Sequence, residues 1–563
     1  MNRLEVAKNL FLEGLALFSS RDYPAAESRF TDALALAPDR VSILTNLSAT
    51  LIKQKKTAQA REFAERAIQA DPQAFEGWLN KGICAFESKA YEEAAASFVK
   101  TLALKPDYDY ALGLLMDARL WSCDWQDYSE TAAEITRRIQ QGRLVMGPFS
   151  FLTLSNSAAD QFICARHYAQ AEYPVPAVEL PALRPYHHDK IRLAYVSADF
   201  HDHATSYLMA ELFERHDKNR FELSAWSFGP DATGGMRARL LRSFDAFINV
   251  RDLTDLQVAQ LMREKEIDIA VDLKGFTTDC RPGIFAHRPA PLQVSYLGYP
   301  GTMGVDYIDY LLGDRWVTPT EHEPFYTEQI VRLPHSYQVN DSQRKIAEAS
   351  SSRQDERLPA QGFVFCCFNN NYKITPTVFD VWMRLLHQVP GSVLWLLQDN
   401  PAAANNLQAE ARQRGIAPER LVFARRVNLP EHLARQRLAD LFLDTLPINA
   451  HTTASDALWA GLPVLTCLGD GFAGRVAASL LHAVGLPELV THSLADYEAL
   501  ALQLATTPAQ LIDLRTRLAR QRLSHPLFDS TRFCQAIEHG YLTMHHRHQA
   551  GMAPQGFDIP EPA

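Results

Sequence analysis

The strongest constraint on the fold is a spacing of 34 residues near the start of the chain. Ala26, Ala60 and Ala94 obey it, and so do Pro38, Pro72 and Pro106. Ala33 and Ala67 keep the same period, which Thr101 breaks. Gly14 and Gly82, Tyr23 and Tyr91, and Phe30 and Phe98 each lie two periods apart. Small residues at fixed positions let two antiparallel helices approach closely, and a proline at the end of each unit stops the second helix. A unit of this kind cannot bury its apolar face alone, so neighbours must stack.

The pattern resembles the tetratricopeptide repeat. Three repeats span about residues 7–108, and a degenerate fourth carrying Trp121 and Trp125 caps the stack through 140. Residues 141–189 are expected to be an irregular helical segment followed by a Pro-rich linker. From 190 onward the pattern changes. Short β-branched or aromatic runs such as "IRLAYVSADF", "FELSAWSF", "IDIAVDL", "VSYLGYPG", "GFVFCCFN", "SVLWLLQ", "RLVFARR", "LADLFLD" and "LPVLTC" alternate with helical stretches. That alternation predicts doubly wound α/β sheets with parallel strands. The span is too long for one sheet, and the polar stretch 340–361 is a natural divide. The expected parts are a lobe over 190–350, a second over 351–545, and a flexible tail over 546–563.

Composition limits the function classes. The chain has 563 residues, 47% of them hydrophobic, and a formal net charge of −10. Nothing global favours nucleic acid or an anionic membrane, so an anionic ligand needs a local basic pocket. Eight cysteines without Cys-x-x-Cys spacing argue against a disulfide framework or a zinc site. The charged N-terminus is a poor signal peptide, and there is no apolar run of about 18 residues. A cytoplasmic protein is the expectation.

Candidate functional residues gather at strand ends, where ligands of such sheets bind. The stretch "NAHTTASDALWAGLP", 449–463, places His451, Thr452 and Thr453 at a helix start, with Asp456 three residues past Thr453. Thr453 with Asp456 resembles an acidic capping box, and Gly461 reads as the stop. The same helix start also suits an anion, because its free N–H groups and dipole point at negative charge. Lys373, Arg435 and histidines are the cations available to neutralise a phosphate. Neither a glycine-rich dinucleotide fingerprint nor a phosphate loop occurs, and no acidic pair at a strand end suits a metal. Asp107-Tyr108-Asp109 reads as a solvated turn, and Arg425-Arg426 as a solvated strand end.

The repeat array together with "YVSADFHDHATSYLM", "HRPAPLQVSYLGYPGTMG", "FNNNYKI", "SVLWLL" and "NAHTTASDALWAGLPVL" resembles the O-linked N-acetylglucosamine transferase family along essentially the whole chain. The short array is similar to that of bacterial members. The resemblance implies a GT-B fold of two Rossmann-like lobes and inverting transfer of N-acetylglucosamine from UDP-GlcNAc to Ser or Thr hydroxyls of proteins. No metal or other cofactor is expected. By motif position, it implies that Lys373 meets the donor pyrophosphate and that His451, Thr452 and Thr453 surround the phosphates. Asp456 would bind the ribose, and Asn370 would line the donor site. His432, Arg435 and the backbone from Val427 to Leu429 would hold the uracil, and Pro300 and Gly301 would border the sugar. His203 stands at the position of a general base, although a donor-orienting role fits the residue equally well, and His201 lies close by. The repeats would bind protein or peptide acceptors; neither nucleic acid nor membrane is an expected partner.

Three positions depart from the animal enzymes. Asn370 replaces a glutamine, Leu429 a lysine, and Ile448 a small cysteine near the sugar. Two alternatives therefore remain: a transferase on the same scaffold using GDP-fucose or UDP-glucose, and a non-enzymatic scaffold that senses UDP-sugar.

Overall fold

The computed structural model describes residues 3–108, 110–176, 180, 186–349 and 351–561. Asp109 and most of the Pro-rich stretch, 177–179 and 181–185, lie outside the described residues. The chain divides into two compact units, Met1–Met146 with Asp399–Leu407, and Gly147–Gln398 with Gln408–Ala563.

The first unit is a run of helical hairpins: α1 (Arg3–Ser19), α2 (Tyr23–Leu36), α3 (Val41–Lys53), α4 (Thr57–Ala70), α5 (Phe75–Glu87), α6 (Tyr91–Leu104), α7 (Ala111–Ser122) and α8 (Tyr128–Gln140). The sequence period maps onto packing. Ala26, Ala60 and Ala94 are completely buried where helices cross. Pro38, Pro72 and Pro106 each follow the second helix of a hairpin by two residues. Thr101 breaks the alanine period without cost, because its buried hydroxyl donates to the Ser97 carbonyl at 3.0 Å. Gly14 and Gly82 explain the double period. A Cβ on Gly14 would lie 2.6 Å from the Phe30 ring, and one on Gly82 2.5 Å from the Phe98 ring. Each glycine is the socket for the phenylalanine of its own hairpin. Gly82→Ala should therefore overpack the socket and destabilise the hairpin by about 1–3 kcal/mol. Hydrogen-exchange protection of α5 and α6 measures this, and unchanged protection would count against the socket. The fourth hairpin packs through aromatic stacking, with Trp121 at 5.6 Å from Tyr91.

The second unit holds two parallel sheets. The first contains β1 (Ile191–Ser197), β2 (Phe221–Ser227), β3 (Ala246–Asn249), β4 (Ile269–Asp272), β5 (Leu292–Ser295), β6 (Tyr310–Asp314) and β7 (Gln329–Leu333). The second contains β8 (Val364–Cys367), β9 (Val393–Leu397), β10 (Leu421–Ala424), β11 (Leu441–Leu443), β12 (Val464–Cys467) and β13 (Val490–Thr491). A last strand, β14 (Phe557–Asp558), joins the first sheet beside β7. The orders are β14-β7-β6-β5-β4-β1-β2-β3 and β10-β9-β8-β11-β12-β13. Both orders reverse direction next to the first strand of their sheet, which opens a crevice at the carboxyl ends of the strands.

The C-terminal boundaries need correction. The expected second lobe ends at 545 and the expected tail is flexible, but a helix runs over Ser530–Gln549 and returns to the first sheet. Its Glu538 bonds His216 Nδ1 at 2.9 Å, and its Tyr541 hydroxyl lies 3.3 Å from that of Tyr195. Beyond it, β14 pairs with β7 and Ile559 is buried. Apolar burial and a sheet edge needing a partner hold this segment, features its Pro- and Gly-rich sequence does not advertise. The polar divide at 340–361 is likewise not a loose connection at its start. Asn340, Asp341 and Arg344 are buried there. No helix among the described residues is long and apolar enough to cross a membrane.

Candidate active site

The second sheet presents its functional residues on the loop after β11 and on the helix Thr452–Ala460 that follows. Asp444, just past β11, is buried and organises the loop. Its Oδ1 accepts the N–H of Thr445 at 2.8 Å and of Ala450 at 2.6 Å, and its Oδ2 accepts the Thr466 hydroxyl at 2.7 Å. Lys373, at the end of a short turn after β8, donates to the Asn449 carbonyl at 2.8 Å. Burial pushes the Lys373 ammonium below its ordinary pKa, and the Asp444 charge partly offsets this. Burial also raises Asp444. A cation held beside one carboxylate in a poorly solvated place gains from a further anion.

The helix start supplies more donors. Its cap residue is His451, and no side chain caps it. The expected Thr453–Asp456 capping box does not form. Thr453 instead donates to Asn369 Oδ1 at 2.5 Å, and Asp456 Oδ1 accepts Arg344 Nη1 at 2.5 Å. Asn369 needs that hydroxyl because its amide is committed to Thr445, and buried Arg344 needs a carboxylate. The N–H groups of Thr452 and Thr453 meet no acceptor among the described residues. The helix does stop at Gly461, in the left-handed conformation, as the sequence predicts. His451 Nε2 lies 3.1 Å from the Ala473 carbonyl. Burial and the Lys373 charge push His451 down to about 3, so it is neutral near pH 7 and donates from Nε2. Burial raises Asp456 to about 6, with Arg344 opposing.

A second group lies on the adjoining helix Leu429–Arg435. Arg435 is buried and donates to the Arg425 carbonyl at 2.6 Å and to His432 Nδ1 at 3.0 Å. Its guanidinium lies 5.3 Å from the Phe368 ring centroid and 5.9 Å from that of Trp395. Desolvation, then the charges of Arg435 and Arg426, hold His432 neutral at about 3. Arg435 therefore orients His432 and closes the strand-end loop. Val427 is exposed on that loop, Leu429 opens the helix, and Asn370 Oδ1 accepts Arg426 at 3.3 Å.

The first sheet contributes a third group. His203 caps the helix Ala204–Arg215, its Nδ1 accepting the Thr205 N–H at 3.3 Å. Asp199 Oδ2 stands 3.5 Å from the same nitrogen. Asp199 is itself gripped by Lys274, two residues past β4, at 3.0 and 2.9 Å. Sequence reasoning missed Asp199, Lys274 and Arg344, because each acts through a partner far along the chain. Pro300, Gly301 and Thr302 follow β5 and are buried; Thr302 donates to Glu328 at 2.6 Å. Ile448 is buried in the loop that Asp444 organises. Among the described residues, one His/Cys/carboxylate cluster has metal-ligand spacing: His216, Cys534 and Glu538. Cys534 and Glu538 belong to the returning C-terminal helix, and the Glu538–His216 hydrogen bond ties that helix to the end of the helix Ala204–Arg215.

Two doubly wound parallel lobes, a final helix returning to the first, and a cationic helix start at the strand ends define the GT-B class of glycosyltransferases. The chain belongs to glycosyl transferase family 41, whose family model matches residues 122–350 and 342–537. A tetratricopeptide-repeat model matches 11–75 and 50–109. The chain is 35% identical over 461 residues to the probable UDP-N-acetylglucosamine–peptide N-acetylglucosaminyltransferase SEC of Arabidopsis thaliana, covering 78% of this chain and 47% of that protein. It is 26% identical over 556 residues to the UDP-N-acetylglucosamine–peptide N-acetylglucosaminyltransferase of Caenorhabditis elegans, covering 76% and 48%. It thus spans about half the length of these curated relatives. A solved structure of a mutant Thermobaculum terrenum O-GlcNAc transferase superposes with a TM-score of 0.70 at 28% identity, covering 98% of this chain and 99% of that one.

Proposed function

We propose that the protein is an inverting glycosyltransferase that moves N-acetylglucosamine from UDP-GlcNAc to Ser or Thr hydroxyls of proteins, without a metal. One observation carries the reading: partly buried Lys373 beside Asp444, next to a helix start whose first N–H groups meet no acceptor among the described residues. In the reaction the acceptor oxygen bonds to the anomeric carbon as the bond to the pyrophosphate breaks, and the hydroxyl proton leaves to a base. Charge builds up on the departing UDP. Lys373 and the N–H groups of Thr452 and Thr453 supply preorganised positive charge and donors where another enzyme uses a metal ion, and neutral His451, its hydrogen given to the Ala473 carbonyl, borders the phosphates. His432, steadied by Arg435, and the loop at Val427–Leu429 suit the base; Asp456 suits the ribose through the carboxylate oxygen Arg344 leaves. Pro300 and Gly301 border the sugar, and His203 takes the proton. The repeats suit extended segments of acceptor protein. The activities named for the related transferases support this assignment.

UDP and UDP-GlcNAc should stabilise the protein in EDTA, and GDP and GDP-fucose should not. A ligand at about 100 times its dissociation constant adds roughly 2.7 kcal/mol to the native state. Thermal-shift measurements read this directly, alongside transfer of labelled sugar to protein acceptors. Stabilisation by GDP-fucose alone would point to the other donor, and binding without turnover to a sensor. An absolute need for magnesium would remove the proposed role of Lys373.

A further inference from the structure

Lys274 and Asp199 form an ion pair that the glycosyl transfer described above does not use. Both side chains are over nine-tenths buried, at the carboxyl ends of β4 and β1. The ammonium touches both carboxylate oxygens, at 3.0 and 2.9 Å. The Asp199 backbone is also fixed: its N–H donates to Ser197 Oγ at 3.0 Å, and its carbonyl accepts the Ser206 hydroxyl at 2.5 Å. The carboxylate therefore has little freedom, and Oδ2 remains 3.5 Å from His203 Nδ1.

On that side of the ring, His203 meets one donor and one acceptor. The Thr205 N–H points at Nδ1. A neutral ring with its hydrogen on Nε2 accepts this bond. A protonated ring carries hydrogen on both nitrogens, and only Asp199 can then receive the one on Nδ1. The same carboxylate supports the neutral form that keeps its hydrogen on Nδ1 and leaves the Nε2 lone pair free for a substrate proton.

We propose that Lys274 is a positioning residue acting through Asp199: it fixes the carboxylate against His203 Nδ1 and thereby sets how the imidazole holds its proton. The inference rests on His203 being the residue that receives the acceptor proton. The charged and titratable groups around the ring are Asp199, Lys274 and His201, whose ring centroid lies 5.7 Å away. Burial is the main cause that lowers the His203 pKa; Asp199 opposes it, and Lys274 and His201 reinforce it.

The two partners therefore act with opposite sign, which a merely structural role would not. Lys274→Met removes a cation and frees Asp199 to pair with the ring, so His203 should hold its proton more tightly. Asp199→Asn removes the anion, so His203 should lose its proton more easily. Diethyl pyrocarbonate acylates the neutral imidazole, and fragment-ion mass spectrometry separates His203 from His201. The midpoint of His203 labelling against pH should rise by about one unit in Lys274→Met, roughly tenfold in proton affinity, and fall in Asp199→Asn. Lys274→Arg should restore the wild-type midpoint. If Lys274→Met does not fold, the double variant leaves no unpaired buried charge, and its midpoint should lie above that of Asp199→Asn. Midpoints that stay put, or move together, overturn the proposal. The acid limb of kcat/KM should follow the labelling midpoints. If the midpoints move as expected and that limb does not, the positioning inference stands and His203 is not the base.

Discussion

Lys373→Met should abolish most turnover while leaving the fold and much of the UDP affinity in place. The expectation follows from what Lys373 touches. Its ammonium bonds one backbone carbonyl, that of Asn449, and lies beside Asp444. Asp444 does not depend on it, because Thr445, Ala450 and Thr466 already donate to the carboxylate. The loop therefore keeps its shape when the lysine becomes a methionine of similar reach. The loss falls on the charge that develops as UDP departs. Removing one preorganised stabilising group costs about 3–4 kcal/mol in the transition state, or roughly 10²- to 10³-fold in rate. Ground-state affinity falls less, since the diphosphate gains charge only as the bond breaks. Single-turnover kinetics with calorimetric UDP binding separates the two. A variant that turns over at the wild-type rate with merely weaker binding would show that Lys373 is a ground-state contact and that charge stabilisation lies elsewhere.

The repeat region was the most legible part of the sequence because its constraint is periodic. Every helix crossing needs a small residue at the same place, so Ala26, Ala60 and Ala94 announce one another. Central strands were legible for a related reason: strands covered on both faces read as continuous apolar runs, such as Val364–Cys367 and Val393–Leu397. The strands missing from the expectation are β3, β6, β7, β13 and β14. Of these, β3, β13 and β14 lie at or next to sheet edges and are two to four residues long, too short to carry a period. The tail gives no local sign of structure, whereas it pairs with the edge of β7 and buries Ile559. Such a contact depends on a partner more than 200 residues earlier.

Site residues divide along the same line. Motifs on one strand-to-helix turn, such as His451-Thr452-Thr453, were found because their chemistry is local. Asp456 looked like a cap and is the partner of Arg344, 112 residues away. Lys274, which no sequence motif singles out, grips Asp199 from 75 residues away. A buried charge signals itself only through its partner, and neither residue type nor spacing reveals that pairing. The same limit applies to Arg435. The sequence does not show that its guanidinium bonds His432 and the Arg425 carbonyl and lies against two aromatic faces.

His203→Ala should lower kcat by about 10²- to 10⁴-fold, the range for loss of a general base. Size alone does not fix the role, because loss of donor positioning costs as much. The pH profile does. A general base works in its neutral form, so its contribution is complete above the folded-state pKa and is lost as pH falls through that value. Burial holds His203 below its ordinary value, so the wild-type acid limb should lie below about 6.5. In His203→Ala that limb should vanish, leaving a slow rate that no longer bends there. Donor affinity gives the complementary test. His203 lies at the end of β1 in the first sheet, whereas Lys373, His451 and His432 belong to the second. Removing it should leave UDP binding within a few fold of wild type. If the acid limb survives in His203→Ala, another group takes the proton; if instead UDP-GlcNAc affinity collapses with the limb unchanged, His203 orients the donor.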